Sequence, residues 1–241
     1  VLTTPHLPGT MHTRSDAATD RGPRGINADA TATHTDPQTG RTAFVVADGV
    51  GDHLLAARAA RVAARTAATA AVRYGAAAAL RRAQEELRAE FPDDKADAVL
   101  VVAVLPPGDQ EEPMYDIAWV GDCRVYRWNG RVLHQVTVDH TLAEFWRAHG
   151  LTPSPRMEHV VTDSVRTARE ADIGHARIGA GAGRLLLCSD GVHKPLDLTR
   201  IKTLLAKDAP ASATALALVD EARAEGSTDN ATALVVDRFP A

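Results

Sequence analysis

At 241 residues the chain is long enough to bury a sizeable core, and 45% hydrophobic with 24% charged residues is the composition of an ordinary globular protein. A formal net charge of −4 leaves no basic footprint, so neither nucleic acid nor an anionic membrane surface is an expected partner. The two cysteines, Cys123 and Cys188, sit in apolar runs. They are too few for a disulfide framework or a thiolate zinc site, and they suit a reducing, cytoplasmic setting.

Residues 1–20, rich in Thr, Pro, His and Arg, read as a flexible N-terminal extension without the apolar core of an export signal. The remainder, 21–241, reads as a single domain. A β-branched run at 42–47 predicts a strand, stopped by Asp48-Gly49. Ala, Leu, Arg and Glu dominate 54–74 and 76–90, which predicts two helices, with Gly75 between them and Pro92 closing the second. Arg58, Arg61, Arg65 and Arg73 exclude a membrane span there. The longest apolar run, 98–105, is far below the ~20 residues that a membrane helix needs.

That run predicts a strand over 99–105 that is buried on both faces. A Pro-Pro-Gly loop at 106–108 follows, then a strand in which Tyr115, Ile117 and Trp119 alternate with their neighbours. Asn129-Gly130 within 124–136 predicts a hairpin with a two-residue turn. A short helix at 141–149 precedes an irregular surface flap over 151–180. Beyond it come a strand at 184–189, helices at 199–207 and 212–225, and a last strand at 231–236. Strands in one block with helices in pairs imply helices layered outside packed antiparallel sheets.

The aspartates suggest the chemistry. Asp48 follows FVVA, Asp122 follows AWVG, Asp190 follows LLLCS, and Asp229 precedes ATALVV, while Asp29 lies in a polar segment before the first expected strand. A strand ending in Asp-Gly presents a carboxylate at the sheet edge, where glycine lets a ligand approach the backbone. If those ends converge, so many anions need cations between them, and hard divalent ions with oxygen ligands suit them. Asp-Gly is also a common turn, so each aspartate taken singly needs no metal.

The order of the motifs resembles one family, the metal-dependent PPM protein phosphatases of type 2C, as bacterial single-domain members. Arg24-Gly-Ile-Asn27-Ala28-Asp29 is similar to its Arg-x-x-Asn-Glu-Asp opening, and Val46-Ala-Asp48-Gly49-Val-Gly51 to its Val-Ala-Asp-Gly-Met-Gly. Val120-Gly121-Asp122-Cys123-Arg124-Val-Tyr126 and Thr137-Val-Asp139-His140 follow in order, then Leu187-Cys188-Ser189-Asp190-Gly191 and Gly226-Ser227-Thr228-Asp229-Asn230-Ala-Thr232.

The resemblance implies an α+β, four-layer α-β-β-α sandwich of two antiparallel sheets flanked by helix pairs. It implies two or three Mn²⁺ or Mg²⁺ ions: Asp48 bridging two of them, Asp190 and Asp229 completing the first site, and Asp29 with the Gly49 carbonyl the second. Asp122 matches an aspartate that holds a third ion, and Arg24 matches a phosphate clamp. The implied activity is hydrolysis of phosphoserine and phosphothreonine by direct attack of a metal-bridging water. The implied substrates are phosphorylated proteins made by a serine/threonine kinase, and the implied state is a monomer.

Besides His193 and Lys194, which look atypical, three positions depart from the pattern or carry no clear role. Ala28 stands where a carboxylate or amide is usual, which removes one ligand from the second site. Asp52 replaces a glycine and is expected in solvent. His53 is expected at a helix start rather than as a general acid, and the ten histidines show no paired ligand spacing for zinc. The rival readings are a pseudophosphatase that binds phosphoproteins without turnover, with Ala28 as its support, and an interaction protein whose aspartates are turns.

Overall fold

The run expected to be buried on both faces is so: in β4 (Ala98–Leu105) every residue is buried. In this computed structural model, which describes residues 11–93, 95–107 and 112–241, β4 lies at the centre of the first of two sheets. That sheet has the order β2 (Asp29–Thr35), β3 (Thr42–Gly49), β4, β5 (Met114–Val120) and β8 (Gly174–Gly179). The second has the order β1 (Met11–Asp20), β10 (Ala231–Pro240), β9 (Gly183–Cys188), β6 (Arg124–Trp128) and β7 (Leu133–Gln135). Every neighbouring pair is antiparallel.

Alternation along each strand sorts its side chains between two cores. Phe44 and Val46 of β3, Val99 and Val101 of β4, Leu185 and Leu187 of β9, and Leu234 and Val236 of β10 pack between the sheets. Their neighbours Val45, Leu100 and Val102 face outward, under the alanine-rich helices α1 (Leu54–Tyr74) and α2 (Ala76–Glu90). On the far side Leu186, Ala233 and Val235 pack under α5 (Leu198–Leu205) and α6 (Ala211–Ala224). Among the described residues the two remaining α-helices are short: α3 (Leu142–Ala148) and α4 (Asp190–His193). The result is the expected α-β-β-α sandwich. No helix among the described residues is long and apolar enough to cross a membrane.

Three local expectations need correction. Residues 11–20 are not a flexible extension: β1 pairs with β10 from Met11↔Pro240 to Asp20↔Ala231. Most of its side chains are exposed, so no apolar pattern marks it. Backbone pairing holds it, with Thr19 and Thr232 hydroxyls 2.7 Å apart and Arg14 5.1 Å over the Phe239 ring. Residues 1–10 of that extension, and Gly108 of the expected loop, lie outside the described residues.

The flap over 151–180 is partly regular, since it ends in β8, paired along β5. It is also tied down: Arg166 is buried and donates from Nη1 to the Leu87 and Phe91 carbonyls at 3.0 and 2.7 Å. The hairpin between β6 and β7 closes through residues 129–132 rather than a two-residue turn. Asn129 Oδ1 accepts there from the backbone N–H of Arg131 and of Val132, at 3.0 and 2.8 Å.

Candidate metal centre

The aspartates meet where both sheets end. Asp29 opens β2, and the β2–β3 register places it directly opposite Asp48. Cross-strand partners share a face, and Asp48 continues the alternation of Phe44 and Val46, so both carboxylates lie at the end of the inter-sheet core. From the second sheet, Asp190 follows β9 by two residues as the first residue of α4, and Asp229 stands two residues before β10. Asp122 sits in the β5–β6 connection. Arg24, Asp48, Gly49, Asp122, Asp190 and Asp229 line one cleft, and Asp29 lies buried beside Asp48.

Glycine in the Asp-Gly pairs serves the chain's own backbone rather than a ligand's approach. A Cβ on Gly49 would lie 2.3 Å from the Ala56 carbonyl oxygen in α1, and one on Gly191 would lie 1.9 Å from the Asn230 carbonyl oxygen. Each glycine thereby lets a strand end and a neighbouring segment close around the carboxylate beside it.

Burial and crowding decide the electrostatics. Asp29 Oδ2 accepts from Ser189 Oγ at 2.7 Å, but burial, with Asp190 and Asp229 nearby, pushes its carboxyl up to about 7. Burial and then the charges of Asp29, Asp190, Asp122 and Asp229 raise Asp48 well above the usual carboxylate range. Asp122 is pushed up to about 6 by burial and by Asp190. Burial also acts upward on Asp190, yet the Lys194 ammonium outweighs it and holds that group below the usual value. This is the signature of a site short of positive charge.

Two protein cations supply part of that charge. Lys194 Nζ donates to Asp190 Oδ2 at 2.6 Å and to Asp122 Oδ2 at 3.0 Å, and Arg24 Nη2 donates to Asp229 Oδ2 at 2.7 Å. With the carboxylates drawn onto these cations, no three Asp, Glu, His or Cys side chains among the described residues stand as a finished ligand set. The donors nonetheless fit divalent ions. Asp29 Oδ1 and Asp190 Oδ1 are buried without a hydrogen-bond partner, and hard carboxylate oxygens are what Mg²⁺ and Mn²⁺ take.

Several residues support this arrangement, and of them Asn27 and Asn230 were given no role from the sequence. Asn27 Oδ1 accepts from the Asp29 N–H at 3.1 Å and fixes that backbone. Asn230 holds the Arg24 loop, its Nδ2 donating to the Arg21 and Ile26 carbonyls at 2.8 and 3.0 Å and its Oδ1 accepting from Ala28 N at 2.7 Å. Asp52, exposed as expected, also accepts from the Ile26 N–H at 3.3 Å on that loop. Ala28 is buried against Ala56 and Ala57 of α1. His53 is the N-cap of α1, with Nδ1 accepting from Ala56 N at 3.1 Å. Among these, Asn27 and Asn230 lay within the quoted motifs and could have been found there.

No family model matches the chain. It is 28% identical to the protein phosphatase PhpP of Streptococcus pneumoniae over 244 residues, covering 90% of this chain and 94% of that protein. Among solved structures, the PPM Ser-Thr phosphatase MsPP of Mycobacterium smegmatis, in complex with cacodylate, aligns with TM-score 0.74 and 26% identity over 93% of this chain and 97% of that one. The catalytic domain of the phosphatase PstP, in complex with two manganese ions, shares the fold with TM-score 0.79 and 24% identity, over 95% of this chain and 100% of that one. With two five-stranded sheets, paired outer helices and an aspartate cluster where the sheets end, the chain is similar along nearly its whole length to the PPM family of metal-dependent, type 2C protein phosphatases and has their fold.

Proposed function

We propose that the chain is a metal-dependent phosphatase that hydrolyses phosphoserine and phosphothreonine in proteins, with Mn²⁺ or Mg²⁺ as its cofactor. One observation carries this reading: Asp29, Asp48, Asp190 and Asp229 converge, and two buried carboxylate oxygens among them have no partner. The named relatives act as protein phosphatases, and PstP holds manganese in the same fold.

In this proposal Asp48, Asp190 and Asp229 would hold one ion, and Asp48 with Asp29 and the Gly49 carbonyl would hold the other. When bound, such ions supply a deprotonated water as nucleophile at neutral pH and draw charge off the phosphoryl oxygens. The residues of the chain do the rest. Arg24, at the mouth of the cleft, binds the phosphate through a planar guanidinium that Asp229 and the Thr228 carbonyl orient at 2.7 and 3.2 Å. Asn230 and Asp52 hold the Arg24 loop in register, so the clamp is positioned before substrate arrives. A cytoplasmic setting accords with two buried, unpaired cysteines.

A pseudophosphatase is the weaker reading. Its support was Ala28, but the carboxylates proposed to bind the ions are all present, and Ala28 packs on α1. The test is release of phosphate from phosphoserine and phosphothreonine peptides in Mn²⁺, in Mg²⁺ and in chelator, beside Asp190→Ala. Turnover that requires metal and vanishes in the variant supports the proposal. Turnover in chelator, or full activity in the variant, overturns it.

A further inference from the structure

Lys194 reaches two aspartates of this cleft, and the proposed reaction does not use it. It is the C-cap of α4, one helical turn beyond Asp190, and residues four apart share a helix face. Its side chain is 20% exposed, against 13% for Asp190 and 4% for Asp122. An ammonium has three protons to donate, and here each meets an acceptor: Asp190 Oδ2, Asp122 Oδ2 and, at 3.3 Å, His159 Nδ1. The preceding residue grips the same loop from its backbone, since His193 Nε2 donates to the Asp122 carbonyl at 2.8 Å. Two successive residues of one helical turn thus hold both ends of Asp122.

The consequence for Asp190 is a division of labour between its oxygens. Oδ2 is taken by Lys194, while Oδ1 is buried and unpartnered. Asp122 does not share that arrangement: neither of its oxygens is among the buried, unpartnered ones, and its Oδ2 rests on the ammonium.

We propose that Lys194 is a resident cation of the metal centre, holding Asp122 and one oxygen of Asp190 where a third divalent ion would otherwise sit, so that this chain binds two ions and Asp122 is not a ligand. A single ammonium neutralises less charge than a divalent ion, but it is permanent and needs no ion from solution. The proposal rests on the phosphatase reading and corrects it at Asp122.

The experiment is Mn²⁺ bound per chain at equilibrium dialysis, carried into the millimolar range, with circular dichroism to verify folding. Wild type is expected to bind two ions. Lys194→Met keeps the stem and removes the charge, so it is expected to bind three, and Lys194→Met with Asp122→Asn to return to two. Asp122→Asn alone is expected to keep both ions with unchanged affinity, and this arm decides the matter if Lys194→Met does not fold. Three ions in wild type, one of them lost in Asp122→Asn, would overturn the assignment of Lys194 and leave the phosphatase standing. Two ions in Lys194→Met would do the same. A wild-type chain that binds no Mn²⁺ would overturn both.

Discussion

Asp29→Asn should stabilise the metal-free protein at neutral pH and destabilise the metal-loaded one. The folded chain holds the Asp29 carboxyl up at about 7, against 3.8 for the free group. Between those values the folded state keeps a proton that the unfolded chain has released. The contribution to stability is therefore fully present below 3.8 and is lost as pH rises to about 7. Each pH unit in that window is worth about 1.4 kcal/mol, so wild type forfeits roughly 3 kcal/mol between pH 5 and pH 7 through this group.

Asparagine has no such proton to lose, and its amide oxygen can still accept from Ser189. Removing the Asp29 charge also relieves Asp48, which adds to the gain with the same sign. His193, buried and pushed down to about 4, acts in the opposite direction, stabilising as pH rises, but it is common to both proteins and cancels in the difference. Urea unfolding in chelator at pH 5, 6, 7 and 8 should thus show the variant gaining on wild type as pH rises. In Mn²⁺ at ten thousand times its dissociation constant, wild type regains about 5.5 kcal/mol, more than the roughly 3 kcal/mol forfeited at Asp29, that a variant with a crippled site does not, and the order inverts. A difference independent of pH in chelator, or no inversion in Mn²⁺, would refute the reasoning.

Other substitutions separate structure from chemistry. His53→Ala removes an N-cap, so a loss of about 1 kcal/mol in urea unfolding with kcat unchanged is expected; a hundredfold fall in kcat would instead make it a general acid. Asn230→Ala leaves Ala28 N and the Arg21 and Ile26 carbonyls without their side-chain partner, which should cost roughly 2–4 kcal/mol and raise KM for a phosphopeptide as the Arg24 loop loosens. Leu187→Ala, fully buried between the sheets, should cost about 2–5 kcal/mol by denaturation while the metal-loaded, folded protein keeps its activity.

What was legible in the sequence follows from where each signal is written. The bounds of α1 and α2 emerge as expected because Gly75 and Pro92 punctuate an alanine-rich run, and β4 because eight consecutive residues are apolar. Strands β1 and β2 were invisible for the converse reason: they are edge strands, β1 with most of its residues exposed and β2 with one of its seven buried, and their pairing lies in the backbone. The carboxylates could be named because each of four adjoins an apolar strand. Their grouping could not be read with the same detail, since the Asp29–Asp48 opposition is a matter of strand register. Lys194 drew notice only as atypical. Its role depends on α4 meeting the β5–β6 connection across 72 residues of chain, a contact that no local pattern encodes.

If ions held by these aspartates supply the chemistry of phosphoester hydrolysis, rate and occupancy must rise together. Hydrolysis of a phosphothreonine peptide is therefore followed along a Mn²⁺ titration, with bound Mn²⁺ determined on the same samples. No turnover is expected in chelator, and the rate should climb in step with occupancy, reaching its plateau as the second ion binds. A chain that fills with Mn²⁺ and releases no phosphate, or one that releases phosphate with no ion bound, would contradict it.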